Sequence, residues 1–318
     1  MQKRKEKKRR VKINIPTYVI KNTYISGNNI YQLGFEGLNG DVELEECEDG
    51  YLVKNILDKD VLITNQNKRF NTYKYVLRYK QDELNEETEL KWYRFRQDED
   101  LVRIKELYEE NYKIKKEIID NDKIIKIGLR TPQVGAIHAI LSNITNPKYK
   151  EGIVVMPTGT GKTEVMLTTF LSDEIERLIV ITPSNALREQ IGNKFKQLGI
   201  LKKIGVINEF CKYPVVGILK KSFKSKEEEA EFFKKCNVVI TSMQLVINLD
   251  AKNLNENFSH LFIDEAHHIT LNKWGDIVNK FKNKIVQFTA TPFRNDGKML
   301  KGDIIYKYSL LQAQEEKY

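Results

Sequence analysis

At 318 residues the chain has room for about two domains, and its 41% hydrophobic content supplies a sizeable core, which excludes a wholly disordered polymer. The net charge of +9 is uneven, because residues 1–12, MQKRKEKKRRVK, carry eight Lys or Arg and one Glu. A uniformly basic body is therefore excluded, and the excess belongs to a local arm.

That arm, residues 1–12, is expected to be disordered, either holding nucleic-acid phosphates or simply solvated. Residues 13–97 read as a β-rich domain, with Tyr73, Tyr75, Leu77 and Tyr79 alternating with Thr72, Lys74, Val76, Arg78 and Lys80 and "KWYRFR" following as the partner of a long hairpin. Basic and aromatic residues interleaved in this way either stack bases or form one buried and one solvated face. Residues 98–124 show helical spacing at Leu101, Ile104, Leu107, Ile114 and Ile118, and a connecting helix is expected there. From residue 125 to 300, short Val- and Ile-rich runs alternate with amphipathic stretches, the pattern of a parallel sheet wrapped by helices, an α/β fold. Residues 301–318 read as a connector leaving that sheet.

No apolar run is long enough to cross a bilayer and no signal-peptide pattern is present, so an intracellular, cytoplasmic protein without a membrane partner is expected. Cys47, Cys211 and Cys236 form no Cys-x-x-Cys and match no histidine pattern, which favours reduced thiols.

The chemistry concentrates behind the apolar runs. In "MPTGTGKTE", Gly159 and Gly161 allow a backbone turn whose N–H groups face phosphate oxygens, and the following helix offers its positive end. Lys162 suits the β- and γ-phosphates and Thr163 suits Mg²⁺, although Met156 stands where the usual motif has its first glycine. In "HLFIDEAHH" an apolar strand ends on Asp264 and Glu265, one carboxylate for the metal and one to orient and deprotonate water. "QFTATPFR" follows the next run and brings Thr289 and Thr291 beside that pair.

Taken in order, "LRTPQ", "MPTGTGKT", "ITPSNALREQ", "VVITSMQL", "DEAH" and "TATP" resemble the DEAD/DEAH-box superfamily-2 helicases, nearest to the branch of type III restriction-enzyme motor subunits. The resemblance covers about residues 125–318 and implies a RecA-like lobe that binds ATP and Mg²⁺. It assigns Gln133 to the adenine, Thr158, Gly159, Thr160, Gly161, Lys162 and Thr163 to the phosphates, and Thr163 and Asp264 to the metal. Glu265 becomes the water-orienting residue, and His267, Thr289 and Thr291 link nucleotide state to nucleic-acid grip. Pro183, Ser184, Arg188, Thr241 and Ser242 are implied along the strand's sugar-phosphate path. Pro132 replaces the aromatic residue that many relatives carry beside the glutamine, which weakens the expected adenine stacking.

The same resemblance implies a second RecA-like lobe, yet only 26 residues follow Pro292. The expected function is a nucleic-acid-dependent ATPase, the N-terminal half of a helicase or translocase acting on DNA, with RNA as the other substrate class. The alternative is a non-motor, ATP-binding regulatory or nucleic-acid-binding subunit. An intact Lys162, Asp264 and Glu265 favour the enzyme.

Overall fold

The computed structural model describes residues 8–24, 26–54, 56, 60–95, 112–120, 123–208, 211–268, 270–294 and 297–316. The chain forms two compact units, one of Met1–Ile20 and Leu33–Asp100, the other of Lys21–Gln32 and Leu101–Tyr318. Among the described residues no helix is long and apolar enough to cross a membrane.

The strands of the N-terminal region are β1 (Lys8–Ile15), β2 (Tyr18–Thr23), β3 (Asn29–Phe35), β4 (Leu38–Cys47), β5 (Gly50–Val53), β6 (Val61–Thr64), β7 (Tyr75–Arg78) and β8 (Lys91–Phe95). Six of them build the sheet of the first unit in the order β1-β4-β5-β6-β7-β8. All its pairs are antiparallel except β6 with β7. Alternation decides the faces: Val61, Ile63, Tyr75 and Leu77 join the larger core, while Leu62 and Val76 join Phe70 on the other side. The expected hairpin between Tyr75 and Phe95 forms, but its aromatics are spent on one another. Tyr18 stacks on Phe95 at 4.3 Å, and Trp92 meets Phe35 and Phe95 edge-on.

Two expectations change here. Residues 8–12 of the basic arm are the start of β1, because Val11, Ile13 and Ile15 alternate inward and tie the segment into the sheet; residues 1–7 lie outside the described residues. The charges on its outer side face acids across β4, with Lys8 opposite Glu45, Arg10 opposite Glu43 and Lys12 opposite Asp41. Lys8 bridges Glu43 at 2.8 Å and Glu45 at 3.1 Å. The second change concerns residues 98–124. Residues 96–111 lie outside the described residues, whereas β9 (Ile118–Asp120) and β10 (Lys123–Lys126) form an antiparallel pair. Paired β-branched residues on either side of the turn-prone Asp-Asn-Asp sequence outweigh the helical spacing.

In the second unit, helix α1 (Thr131–Thr145) precedes β11 (Gly152–Val155), α2 (Lys162–Ser172), β12 (Leu178–Thr182) and α3 (Asn185–Lys196). Then come β13 (Val216–Ile218), α4 (Lys226–Lys234), β14 (Val238–Ser242), α5 (Met243–Val246) and α6 (Ala251–Asn257). The chain continues through β15 (His260–Ile263), α7 (Leu271–Lys280), β16 (Lys284–Thr289), β17 (Asp303–Lys307) and α8 (Leu310–Glu315). Seven parallel strands lie in the order β17-β11-β16-β15-β12-β14-β13. The inner strands are buried on both faces, whereas β17 at the edge is largely exposed: Val154, Val180 and Phe262 enter one core, and Ile153, Ile179 and Leu261 the other. Unbroken apolar runs follow from that double burial.

Two segments outside the expected 125–300 lobe join this sheet. β17 pairs with β11, so the expected connector 301–318 contributes a strand. At the other end Asn29–Tyr31 run antiparallel to β13, drawing residues 21–32 out of the expected 13–97 domain. Asn28, fully buried, secures them: its carbonyl oxygen accepts from the amides of Lys220 and Lys221, and its amide donates to the Lys221 carbonyl.

Candidate nucleotide site

Parallel strands place every motif at the same sheet edge, because β11, β12, β14, β15 and β16 all end there. β11 runs into the glycine loop. Met156, fully buried in the core, fills the place of the absent first glycine; its N–H donates to the Thr289 carbonyl, and its own carbonyl accepts from Lys162 Nζ at 3.3 Å. Gly159 (φ +86°) and Gly161 (φ +92°) take left-handed conformations, and open space surrounds the direction a Gly159 Cβ would take. A Cβ on Gly161 would lie 1.9 Å from Gln133 Nε2. Thr160 is buried, its hydroxyl donating to the Pro157 carbonyl at 2.7 Å, whereas Thr158 is exposed. Thr163 is half-buried in the first turn of α2.

Gln133 clamps this loop from α1. Its carbonyl oxygen accepts from the Arg130 N–H at 2.8 Å, and its amide donates to the Thr160 carbonyl at 3.2 Å. Sequence reasoning passed over Arg130, whose guanidinium donates to the Gly159 carbonyl at 3.2 Å; its place in "LRTPQ" was the available signal.

β15 delivers the carboxylates. Asp264 is 7% exposed, and its carboxyl is pushed up to about 6 by burial and then by the Glu265 charge, with Lys162 opposing. Glu265 holds a left-handed backbone (φ +48°), a conformation costing roughly 1 kcal/mol or more for a residue with a side chain. Its Oε1 pairs with Lys162 Nζ at 3.2 Å. Its Oε2 is buried without a hydrogen bond, 3.4 Å from His267 Nδ1.

His267 Nδ1 lies 3.0 Å from the Thr289 hydroxyl. That hydroxyl donates to the Thr291 carbonyl at 2.7 Å and accepts from the Thr291 N–H, so the proton between His267 and Thr289 belongs on Nδ1. Burial, with His268 next, lowers the His267 pKa and keeps the ring neutral. His267, Thr289 and Thr291 therefore form a chain of contacts from Glu265 to the Thr-Ala-Thr-Pro turn.

A cavity of about 290 Å³ opens beside the carboxylates. Pro183, Ser184 and Ser242 line it together with Asp264, Glu265 and Lys273. Two residues of the expected nucleic-acid path sit elsewhere. Thr241 is fully buried, and Arg188 is 6% exposed with its Nε unpartnered. Helix-face position, which strand-end motifs do not encode, decides the burial of Arg188. Lys273 came from α7, where no motif marked it.

A parallel sheet that carries a glycine loop, an Asp-Glu pair and a Thr-Ala-Thr-Pro turn on one edge is a RecA-like lobe of the P-loop class. Residues 126–294 match the family described as type III restriction enzyme, res subunit (ResIII), and the chain belongs to that family. Over 193 residues it is 28% identical to the DNA 3'-5' translocase XPB2 of Sulfurisphaera tokodaii, covering 58% of this chain and 37% of that protein. The chain thus spans little more than a third of that relative's length. Among solved structures it is similar to the UvsW helicase from bacteriophage T4, with TM-score 0.39, 17% identity, and 55% of this chain and 56% of that chain covered. It is also similar to a nuclease-deletion mutant of the Type ISP restriction-modification enzyme LlaGI in complex with a DNA substrate mimic, with TM-score 0.41 and 18% identity over 59% of this chain and 20% of that one.

Proposed function

We propose that the chain is the nucleotide-binding lobe of an intracellular, nucleic-acid-stimulated ATPase that drives movement along DNA or its unwinding. The observation that carries this reading is the convergence of Lys162, Asp264 and Glu265 at one strand edge, beside a cavity lined by Pro183, Ser184 and Ser242. Family membership supports it.

The residues fit ATP and Mg²⁺. Lys162, 8% exposed, already holds an anion, because the Glu265 carboxylate stands where a phosphate oxygen would be recognised. Gly159 leaves its side of the loop open. Asp264 and the Thr163 hydroxyl are oxygen donors, the set that Mg²⁺ prefers. When bound, the metal neutralises charge on the β- and γ-phosphates. The chain's own residues then divide the work: Lys162 holds the terminal phosphate, Asp264 the metal, and Glu265 orients water and takes its proton. Oε2 of Glu265 makes no hydrogen bond and lies 3.4 Å from His267 Nδ1, and the carboxylate takes that proton once ATP has drawn Lys162 away from Oε1. His267, Thr289 and Thr291 pass the resulting change of Glu265 partner to the next strand end. A second RecA-like lobe is the expected partner across the nucleotide.

Nucleotide titration and steady-state ATPase measurements with and without DNA test the reading. Magnesium-dependent ATP binding lost in Lys162→Ala supports it. Equal affinity in the two proteins would overturn it.

A further inference from the structure

The first unit carries a groove that the ATPase reading does not use. β6 and β7 are its only parallel pair among the described residues, so both strands end at the same sheet edge. Residues 65–74 must then carry the chain back to the opposite edge, while residues 79–90 turn over into β8. The segments diverge and leave a cavity of about 680 Å³. Apart from Tyr79, its lining residues carry polar or charged ends: the carboxamides of Asn65, Gln66, Asn67 and Gln81, with Arg78, Lys80, Glu89 and Lys91 among them.

Charge and chemistry narrow the occupant. The one acid in the lining, Glu89, is already paired with Lys91 at 3.0 Å, so the groove is net positive. Arg78 is held in place with its guanidinium 3.4 Å from the Tyr93 ring centroid and its amino groups on Asn67 Oδ1 and the Lys68 carbonyl. Its Nε is buried without a hydrogen bond. Among the described residues, the Lys80 ammonium and the Gln81 carboxamide, both exposed, have no partner within the chain. Single strands are gripped by bases stacked on exposed aromatic rings. The lining offers no open ring: Tyr79, its one aromatic residue, is 7% exposed, and Tyr93, 41% exposed, is not among the lining residues and has Arg78 over one face. The Asn65 and Gln66 amides already donate to the Gln81 and Glu48 carbonyls and Asn67 Oδ1 accepts from Arg78, which leaves the Gln81 carboxamide for the edge of a paired base and Lys80 for a flanking phosphate.

We propose that this groove is a second nucleic-acid site, one that binds duplex DNA independently of nucleotide at the glycine loop. The choice of polyanion rests on the nucleic-acid function proposed above; the location and the preference for a duplex rest on the groove. The test is anisotropy of a labelled 20-base-pair duplex and of the same sequence as a single strand, titrated with the full chain over a range of salt. Lys80→Glu should weaken duplex binding about tenfold and flatten its salt slope by roughly 1–2. Lys80→Arg should restore both, and Gln81→Ala should weaken binding with the slope unchanged. Single-strand affinity and ATP binding should stay at wild-type values in all three. Duplex affinity unchanged in Lys80→Glu, or an equal loss for duplex and single strand, overturns the groove. Because ATP binding and DNA-stimulated turnover are read separately, a failed ATPase leaves a positive groove result standing, and the reverse also holds.

Discussion

Lys162 Nζ lies 3.2 Å from Glu265 Oε1, so the proposed phosphate-binding cation and the proposed water-activating carboxylate neutralise each other. On the proposed function, ATP displaces Glu265 from that ammonium before Glu265 turns to water. Substrate arrival and release of the base are then one event.

The pairing gives opposite expectations for its two members. Lys162→Ala should abolish detectable ATP binding, since no other cation of the loop takes the phosphate. Glu265→Gln should bind ATP more tightly than wild type, because the competing carboxylate is gone. Its hydrolysis should fall by about 10²-fold or more, the usual contribution of a positioned base. Weaker binding in Glu265→Gln, measured by fluorescent-nucleotide titration, would count against the competition.

The two loop glycines should respond differently to alanine. Gly159 has open space around it, so Gly159→Ala meets only the backbone cost of a positive φ, roughly 1–2 kcal/mol. Gly161→Ala adds a Cβ 1.9 Å from Gln133 Nε2 and must break the Gln133 clamp on Thr160 as well. Thermal denaturation should show the larger loss for Gly161→Ala, with Gln133→Ala in the same chain relieving part of it. Identical melting temperatures for the two glycine variants would refute the clamp.

Asp264 sets a pH dependence of stability. Its folded pKa of about 6 lies above the ordinary aspartate value, so the folded state holds the proton more tightly than the unfolded state. The sign follows: stability falls as pH rises through the window from about 4 to about 6, by roughly 2–4 kcal/mol in all. Above pH 6 the buried carboxylate is charged and costs stability, which metal binding would offset. Asp264→Asn should therefore melt higher than wild type at pH 8 without Mg²⁺, and the gap should close towards pH 4. A gap constant across that range would show that desolvation of the carboxylate is not its source.

The contact chain from Glu265 through His267 to Thr289 predicts uncoupling. His267→Ala removes the Nδ1–H donor to the Thr289 hydroxyl at 3.0 Å while leaving Lys162 and Asp264 in place. ATP affinity should stay within about twofold of wild type, and the stimulation of turnover by DNA should be lost. Full stimulation in the variant, read in a steady-state ATPase assay, would remove His267 from the coupling role.

The parallel sheet was legible because double burial writes the inner strands as largely apolar runs: Gly152–Val155, Leu178–Thr182 and His260–Ile263 read that way. The site was legible for a related reason. Glycines, a lysine and paired carboxylates placed directly after such runs must fall on one sheet edge. What stayed hidden depends on partners distant in sequence. Nothing local to Asn28 announces that it will bond to Lys220 and Lys221, nor to "DIIYK" that it will lie against β11. Thr241 shares its motif with half-buried Ser242 and exposed Gln244, and only the packed sheet shows it to be buried. In the arm, charge density masked a strand.

That strand yields the last prediction. A run of eight basic residues in the first twelve looks like a free polycation, yet Lys8–Ile15 is the edge of the first unit's sheet. Two physical facts hold it there. Val11, Ile13 and Ile15 point inward, with the two isoleucines at 1% exposure or less. On the outer side Lys8, Arg10 and Lys12 face Glu45, Glu43 and Asp41, so their charge is answered within the sheet. Deleting residues 1–12 removes more than half of β1, leaves β4 as an uncovered edge and exposes Leu44 and Val42 along it. The melting temperature should drop by several degrees, since about 1 kcal/mol in a domain of 60–100 residues is worth roughly 4–8 °C. Deleting only residues 1–7 leaves β1 whole and takes away Lys3, Arg4, Lys5 and Lys7. Stability should then be unchanged. If those four engage phosphates, the slope of log K against log salt for DNA binding should flatten by up to about 2.8–3.6. The pair of deletions separates the two roles within one stretch of sequence. A longer deletion that melts with the wild type would show that the charge ladder does not hold the edge, and an unchanged salt slope in the shorter one would make residues 1–7 a solvated tail.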